Sequence, residues 1–167
     1  AAATERAALE DDLRQGLKRQ ELRLHYQPVI DENGVTVGVE ALVRWQHPQR
    51  GLILPGEFID LAEKTGLITQ LGQWVLEAAC QQLVIWSADT TTRDLSIAVN
   101  VSARQFRHSD FAEQVLNLLR TTGANPYRLK LELTESMLLT DVEDAVRKMR
   151  ELLSIVVGFS LDDFGTG

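Results

Sequence analysis

Four apolar runs in this chain each lead into a side chain that carries oxygen. Val37-Gly38-Val39 is followed by Glu40, and Ser96-Ile97-Ala98-Val99 by Asn100. Leu129-Lys130-Leu131 is followed by Glu132, and Phe159-Ser160-Leu161 by the pair Asp162-Asp163. A single acid after an apolar run is an ordinary turn former or solvated charge. Four form a pattern, because parallel strands closed into a barrel bring their C-terminal ends to one face, where active sites sit. Converging carboxylates repel one another unless something cationic joins them. Donors that are all oxygen select hard cations such as Mg²⁺, Mn²⁺ or Ca²⁺. Asp162 and Asp163 could bridge or flank two ions, which suits in-line displacement at phosphorus. On these residues alone two readings stand: a metal-dependent phosphoryl or carbonyl enzyme, or a barrel with ordinary polar strand ends.

The elements that would position these groups are legible in outline. Residues 4–19 read as a helix, with Leu9, Leu13 and Leu17 spaced by four. An alternating strand follows over 22–27, and Pro28 helps to end it. Asp31-Glu32-Asn33-Gly34 is a hairpin turn, so a second strand over 35–45 runs antiparallel to the first. Pro55 opens a short helix through Ala62, with Gly66 ending it, and a longer helix covers 69–86. Strands over 95–99, 129–133 and 157–161 then alternate with helices near 109–121 and 140–153. Ser102-Ala103-Arg104-Gln105 and Thr140-Asp141-Val142-Glu143 fit the capping-box pattern, and Gly123 stands where a helix C-terminal glycine belongs. Such alternation means parallel strands joined by helical crossovers, an α/β fold.

Composition narrows the function classes. The chain has 167 residues and a net charge of −7, which argues against gripping long nucleic acid through a basic face. A small phosphate ligand held through cations stays compatible with that charge. The lone cysteine, Cys80, excludes an internal disulfide and a Cys-rich zinc site, and reads as a buried, inert thiol in a reducing, cytoplasmic setting. No apolar run approaches the about 18 residues of a membrane span, and the first residues lack a signal peptide's apolar core. A membrane anchor of a parent protein would lie outside this chain. His25, His47 and His108 lack metal-ligand spacing and read as structural or surface residues. Trp45, Trp74 and Trp86 read as core anchors.

The run Val39-Glu40-Ala41-Leu42-Val43-Arg44-Trp45 resembles the signature of EAL domains. It is joined by Tyr26-Gln27-Pro28, Leu54-Pro55-Gly56-Glu57-Phe58-Ile59, Asn100-Val101-Ser102, Glu132-Leu133-Thr134-Glu135-Ser136 and Asp162-Asp163-Phe164-Gly165-Thr166-Gly167. All six occur in family order with family-like spacing, and the resemblance covers nearly everything after residue 20. It implies a modified TIM-type (βα)8 barrel with one antiparallel strand, incomplete in this chain, over 21–167, with 1–20 as an N-terminal connector helix. It also implies hydrolysis of cyclic di-GMP to the linear dinucleotide with two ions of Mg²⁺ or Mn²⁺. By position, Glu40, Asn100, Glu132 and Asp162 resemble the ligands of one metal, and Asp162 and Asp163 those of a second. Glu135 resembles the acid that holds the loop after the aspartates. Gln27, Leu42 and Arg44 resemble substrate-contacting positions, and the planar fork of Arg44 suits a phosphate. Family members are often dimeric and often follow an upstream regulatory or diguanylate cyclase domain.

Two departures stand out. The sequence stops at Gly167, inside the loop after the aspartates, whereas family members continue through further strand–helix units. That later part carries a lysine assigned to water activation and a late metal-site glutamate, so residues 1–167 alone are expected to turn over poorly. Val156 stands where the family often has glycine. The alternative to an enzyme is a non-catalytic cyclic di-GMP sensor or scaffold, and a different metal-dependent barrel enzyme is a third reading. Retention of all five early ligand positions favours catalysis.

Overall fold

The computed structural model describes residues 2–162, with side chains described over 3–161. Helix α1 spans Ala2–Lys18, and β1 (Leu22–Ile30) and β2 (Thr36–His47) form an antiparallel hairpin. Its turn is closed by Asp31, whose Oδ1 accepts from the N–H groups of Asn33 and Val35, both at 2.9 Å. Gly34 takes φ 78 there, a left-handed conformation that glycine adopts without steric cost. Pro28 does not end the first strand as expected. β1 runs on to Ile30, with Pro28 opposite Val39. Among the described strands β1 pairs only with β2, and on such an edge a proline can turn its nitrogen away from the ladder.

The rest of the sheet is parallel. β2 pairs with β4 (Ser96–Asn100), β4 with β5 (Leu129–Thr134), and β5 with β6 (Gly158–Asp162), giving the order β1-β2-β4-β5-β6. A short β3 (Gly51–Ile53) folds back antiparallel onto the end of β2. The described strands thus form an open, mostly parallel sheet with an antiparallel strand at one edge, part of a TIM-like barrel. Helices α2 (Pro55–Thr65), α3 (Leu67–Ser87), α4 (Ala103–Arg107), α5 (Phe111–Thr122), α6 (Glu135–Thr140) and α7 (Val142–Leu153) make the crossovers. No helix among the described residues is long and apolar enough to cross a membrane.

Period-two alternation sorts the strands into two faces. Val39, Ala41, Trp45, Ile97, Val99, Leu129, Leu131 and Leu133 are buried and join the helices in one core. The core takes Leu71, Leu76, Ala79, Cys80 and Leu83 from α3, which packs against α1, α2, α4 and α5. The intervening positions, among them Gln27, Glu40, Asn100 and Glu132, share the opposite face, as their registered pairing requires.

Local signals account for most boundaries. Gly66, at φ 84, ends α2, and Gly123, at φ 81, ends α5. Ser102 caps α4 as expected, its Oγ accepting from Gln105 N at 3.0 Å. The expected cap at Thr140 is overturned. Thr140 ends α6, its Oγ1 donating to the Ser136 carbonyl, while Asp141 caps α7 by accepting from Asp144 N at 3.2 Å. After α7 the N–H of Val157 bonds the Leu152 carbonyl and that of Val156 bonds the Leu153 carbonyl. This is the six-to-one, five-to-two pattern of a Schellman motif, whose left-handed position usually holds glycine. Here that position holds Val156, at φ 63.

Candidate functional site

The site grows from the β2–β4–β5 junction. Glu40 is the fifth of the twelve residues of β2, and Glu132 the fourth of six in β5; neither ends its strand, contrary to the sequence reading. Asn100 is the last residue of β4. Register nevertheless brings them together. Glu40 is level with Ala98, which puts Asn100 one same-face step higher, and Asn100 is paired directly with Glu132. The two methylenes of the glutamate side chain span that step. Asn100 Nδ2 donates to Glu40 Oε1 at 3.3 Å. Two carboxylates and a carboxamide from three neighbouring strands therefore occupy one patch of the polar face.

The remaining expected positions fall around this patch unequally. Gln27 lies directly across from Glu40 on β1. Arg44 is half-buried further along β2 and donates from Nη1 to its neighbour's carbonyl, Val43 O, at 2.9 Å. Leu42 lines a cavity of about 550 Å³ with Asn100, Ser102, Pro55, Thr134 and Ser136. Glu135 opens α6 directly after β5. Asp162 ends β6 and pairs with Thr134, two residues beyond Glu132; its side chain, and Asp163 with the loop to Gly167, lie outside the described residues. Among the described residues no three His, Cys, Asp or Glu side chains gather closely enough to hold a metal. The donors that are described, Glu40, Asn100 and Glu132, are all oxygen-bearing, which is the set a hard cation accepts.

Two supports of this site were not foreseen. Lys148 on α7 is fully buried. Its Nζ donates to the Phe106 carbonyl at 2.6 Å, pairs with Asp144 at 2.7 Å and lies over the Phe106 ring. It thereby anchors α4, the segment that follows Asn100. The hydrogen bond from Lys148 holds the Asp144 carboxyl below the usual range against the opposing effect of burial, and Arg147 adds to the lowering. In sequence Lys148 sits in Val146-Arg147-Lys148-Met149-Arg150, where a basic residue looks solvated. The second support is His47, buried at the end of β2 against Asp12 of α1. The other side chains behave as read: Cys80 is buried, with its thiol pushed up to about 11 by burial, and Trp45 is wholly enclosed.

This chain matches the EAL domain family model over residues 10–167. It is 50% identical over 168 residues to the bifunctional diguanylate cyclase/cyclic di-GMP phosphodiesterase MucR of Pseudomonas aeruginosa, covering 100% of this chain and 24% of that protein. It is 39% identical over 166 residues to the cyclic di-GMP phosphodiesterase NbdA of the same organism, covering 99% of this chain and 21% of that protein. Among solved structures, the MucR phosphodiesterase in complex with c-di-GMP superposes with a TM-score of 0.90 at 50% identity, over 96% of this chain and 65% of that one. The EAL enzyme Bd1971 bound to cAMP and cyclic di-GMP superposes with a TM-score of 0.86 at 31% identity, over 100% of this chain and 46% of that one. The match begins inside α1 and takes in every strand that carries a candidate group, and the chain belongs to the EAL domain family.

Proposed function

We propose that this chain forms the catalytic part of a metal-dependent phosphodiesterase that hydrolyses cyclic di-GMP to the linear dinucleotide. The observation that carries the reading is the Glu40–Asn100 hydrogen bond at 3.3 Å beside the directly paired Glu132. Oxygen donors from three strands meet in one patch, and relatives named as cyclic di-GMP phosphodiesterases support the reading. Glu40, Asn100 and Glu132 would hold Mg²⁺ or Mn²⁺, with Asp162 and Asp163 completing a two-ion set. When bound, the ions supply charge for the scissile phosphate and acidify water. The chain's own groups then have distinct tasks. Arg44 releases Val43 O and presents its two-pronged donor to a phosphate oxygen. Gln27, across from Glu40, offers an amide to the ligand, and Leu42 supplies an apolar wall beside Asn100. Glu135, at the start of α6, steadies the loop after the aspartates. MucR carries both activities in its name, and the same reading places a cyclase or regulatory domain upstream of this one, in a cytoplasmic, dimeric assembly.

The test is a turnover assay on a protein carrying this chain, with linear dinucleotide followed by chromatography in matched Mg²⁺, Mn²⁺ and Ca²⁺ buffers. Product is expected with Mg²⁺ or Mn²⁺ and not with Ca²⁺, whose looser coordination fits two-ion geometry poorly. Glu40→Ala abolishes turnover, whereas Arg44→Ala chiefly raises the substrate concentration required. Tight nucleotide binding with no linear product in any metal would replace this reading with the sensor.

A further inference from the structure

β2 is held unevenly along the edge that faces away from β1. Its register with β4 ends at Ala41, and its register with β3 begins only at Trp45. Arg44 lies in the interval. It has a partner on the other edge, Arg23 of β1, but on this edge its position depends on how firmly 45–47 is anchored. That anchor comes from α1 and the residues just after it. The N–H of Gln46 donates to Glu21 O at 2.8 Å, and Trp45 Nε1 donates to Glu21 Oε1 at 3.1 Å. His47 is 3% exposed, and its Nε2 lies 2.8 Å from Asp12 Oδ2. Its Nδ1 accepts from the N–H groups of both Gln49 and Arg50 at 3.0 Å. Because Nδ1 accepts, the ring proton resides on Nε2 and is donated to Asp12. One imidazole thus ties α1, the end of β2 and the β2–β3 turn together. Gly16 permits this closeness: a Cβ there would stand 3.0 Å from both Glu21 Oε1 and Trp45 Nε1.

We propose that Asp12 and His47 are positioning residues for Arg44: docking of α1 through the Asp12–His47 bond fixes the β2 segment that presents the arginine to the phosphate. The inference rests on the reading of Arg44 as a ligand contact. Preorganised donors bind more tightly because less ordering remains to be done on association. A helix at the entrance to the domain therefore acts on affinity, while the Glu40–Asn100–Glu132 patch, below the β4 boundary, keeps its own support. Displacing α1 would loosen the grip on the nucleotide without dismantling the metal ligands.

Cyclic di-GMP binding by calorimetry, well below the melting temperature, tests this, with amide exchange at Gln49 and Arg50 read in parallel. Asp12→Ala is expected to weaken binding by about two- to tenfold, the lower part of the range of couplings between neighbouring groups, and to speed exchange at both amides. Asp12→Asn retains an acceptor oxygen and restores binding. Gly16→Ala crowds the same anchor from another residue and weakens binding in the same direction. In an Arg44→Ala background, Asp12→Ala costs nothing further. Equal losses in both backgrounds, or unchanged affinity with faster exchange, would overturn the proposal and leave a purely structural bridge. A wild-type protein that binds no nucleotide overturns the functional reading itself, an outcome distinct from wild-type binding that Asp12→Ala leaves intact.

Discussion

Gly38 stands where β2 first meets β4, opposite Ser96, two residues before Glu40. A Cβ on Gly38 would lie 2.6 Å from Ser96 Oγ and 2.9 Å from the Ser96 backbone oxygen. The hydroxyl can rotate aside. The carbonyl can yield only if the two strands part, and close-packed interiors resist that. Overpacking of this kind costs about 1–3 kcal/mol. Alanine's narrower unfolded ensemble offsets about 0.4–1 kcal/mol of it. Gly38→Ala is therefore expected to lower stability by about 1–2 kcal/mol, or roughly 2–8 °C in Tm for a chain of this size. Urea unfolding followed by circular dichroism reads the change as a lower midpoint at constant slope. Ser96→Gly in the same chain removes only the rotatable hydroxyl and leaves the carbonyl clash, so little of the loss is rescued. The same parting of strands moves Glu40 away from Asn100, and turnover falls more steeply than stability. A Gly38→Ala protein within about 0.5 kcal/mol of wild type, the ordinary scatter of neutral changes, would refute the reasoning.

Two further outcomes follow from the α7 region. Val156→Gly relieves a β-branched residue of a left-handed backbone that costs about 1–2 kcal/mol; after the entropy of glycine it should raise stability by about 0.5–1 kcal/mol, measured by the same urea titration. Lys148→Met keeps the volume but strands the buried Phe106 carbonyl, a loss of about 1–3 kcal/mol that thermal unfolding would detect. The Asp144 carboxyl, held below its usual range mainly by Lys148, stabilises the fold at any pH above the unfolded value of about 3.9 and loses that contribution as pH falls through its lower folded value. Asp144→Asn should accordingly be less stable than wild type at neutral pH, with the gap closing in acid.

What could be read from the sequence followed the strength of local signals. The parallel strands and the Asp31–Gly34 turn announce themselves through apolar alternation and a turn-forming run, and the structure has them within a residue or two. Asn100, Glu40 and Glu132 could be singled out because oxygen-bearing residues interrupt apolar runs in three strands. Their actual contact depends on a two-residue stagger between β2 and β4, which no single strand encodes. β3 is three residues long and α6 six, too short for either period to show. Pro28 misled because its effect depends on whether the strand is an edge. Lys148 and His47 were illegible for a shared reason: each is polar in a polar run, and each is buried by a partner 42 or 35 residues away in the chain.

The alternation along β5 has a bearing on how such domains diverge. Leu129, Leu131 and Leu133 are wholly enclosed, while Lys130, Glu132 and Thr134 face the other way. Substitutions at the second set leave the packed layer untouched. A lineage can therefore lose its acids, or exchange them, while the enclosed leucine layer stays as it is. Selection for a packed core would not notice such a change, so catalytic and silent descendants of this scaffold should share one core and be told apart by challenge with ligand.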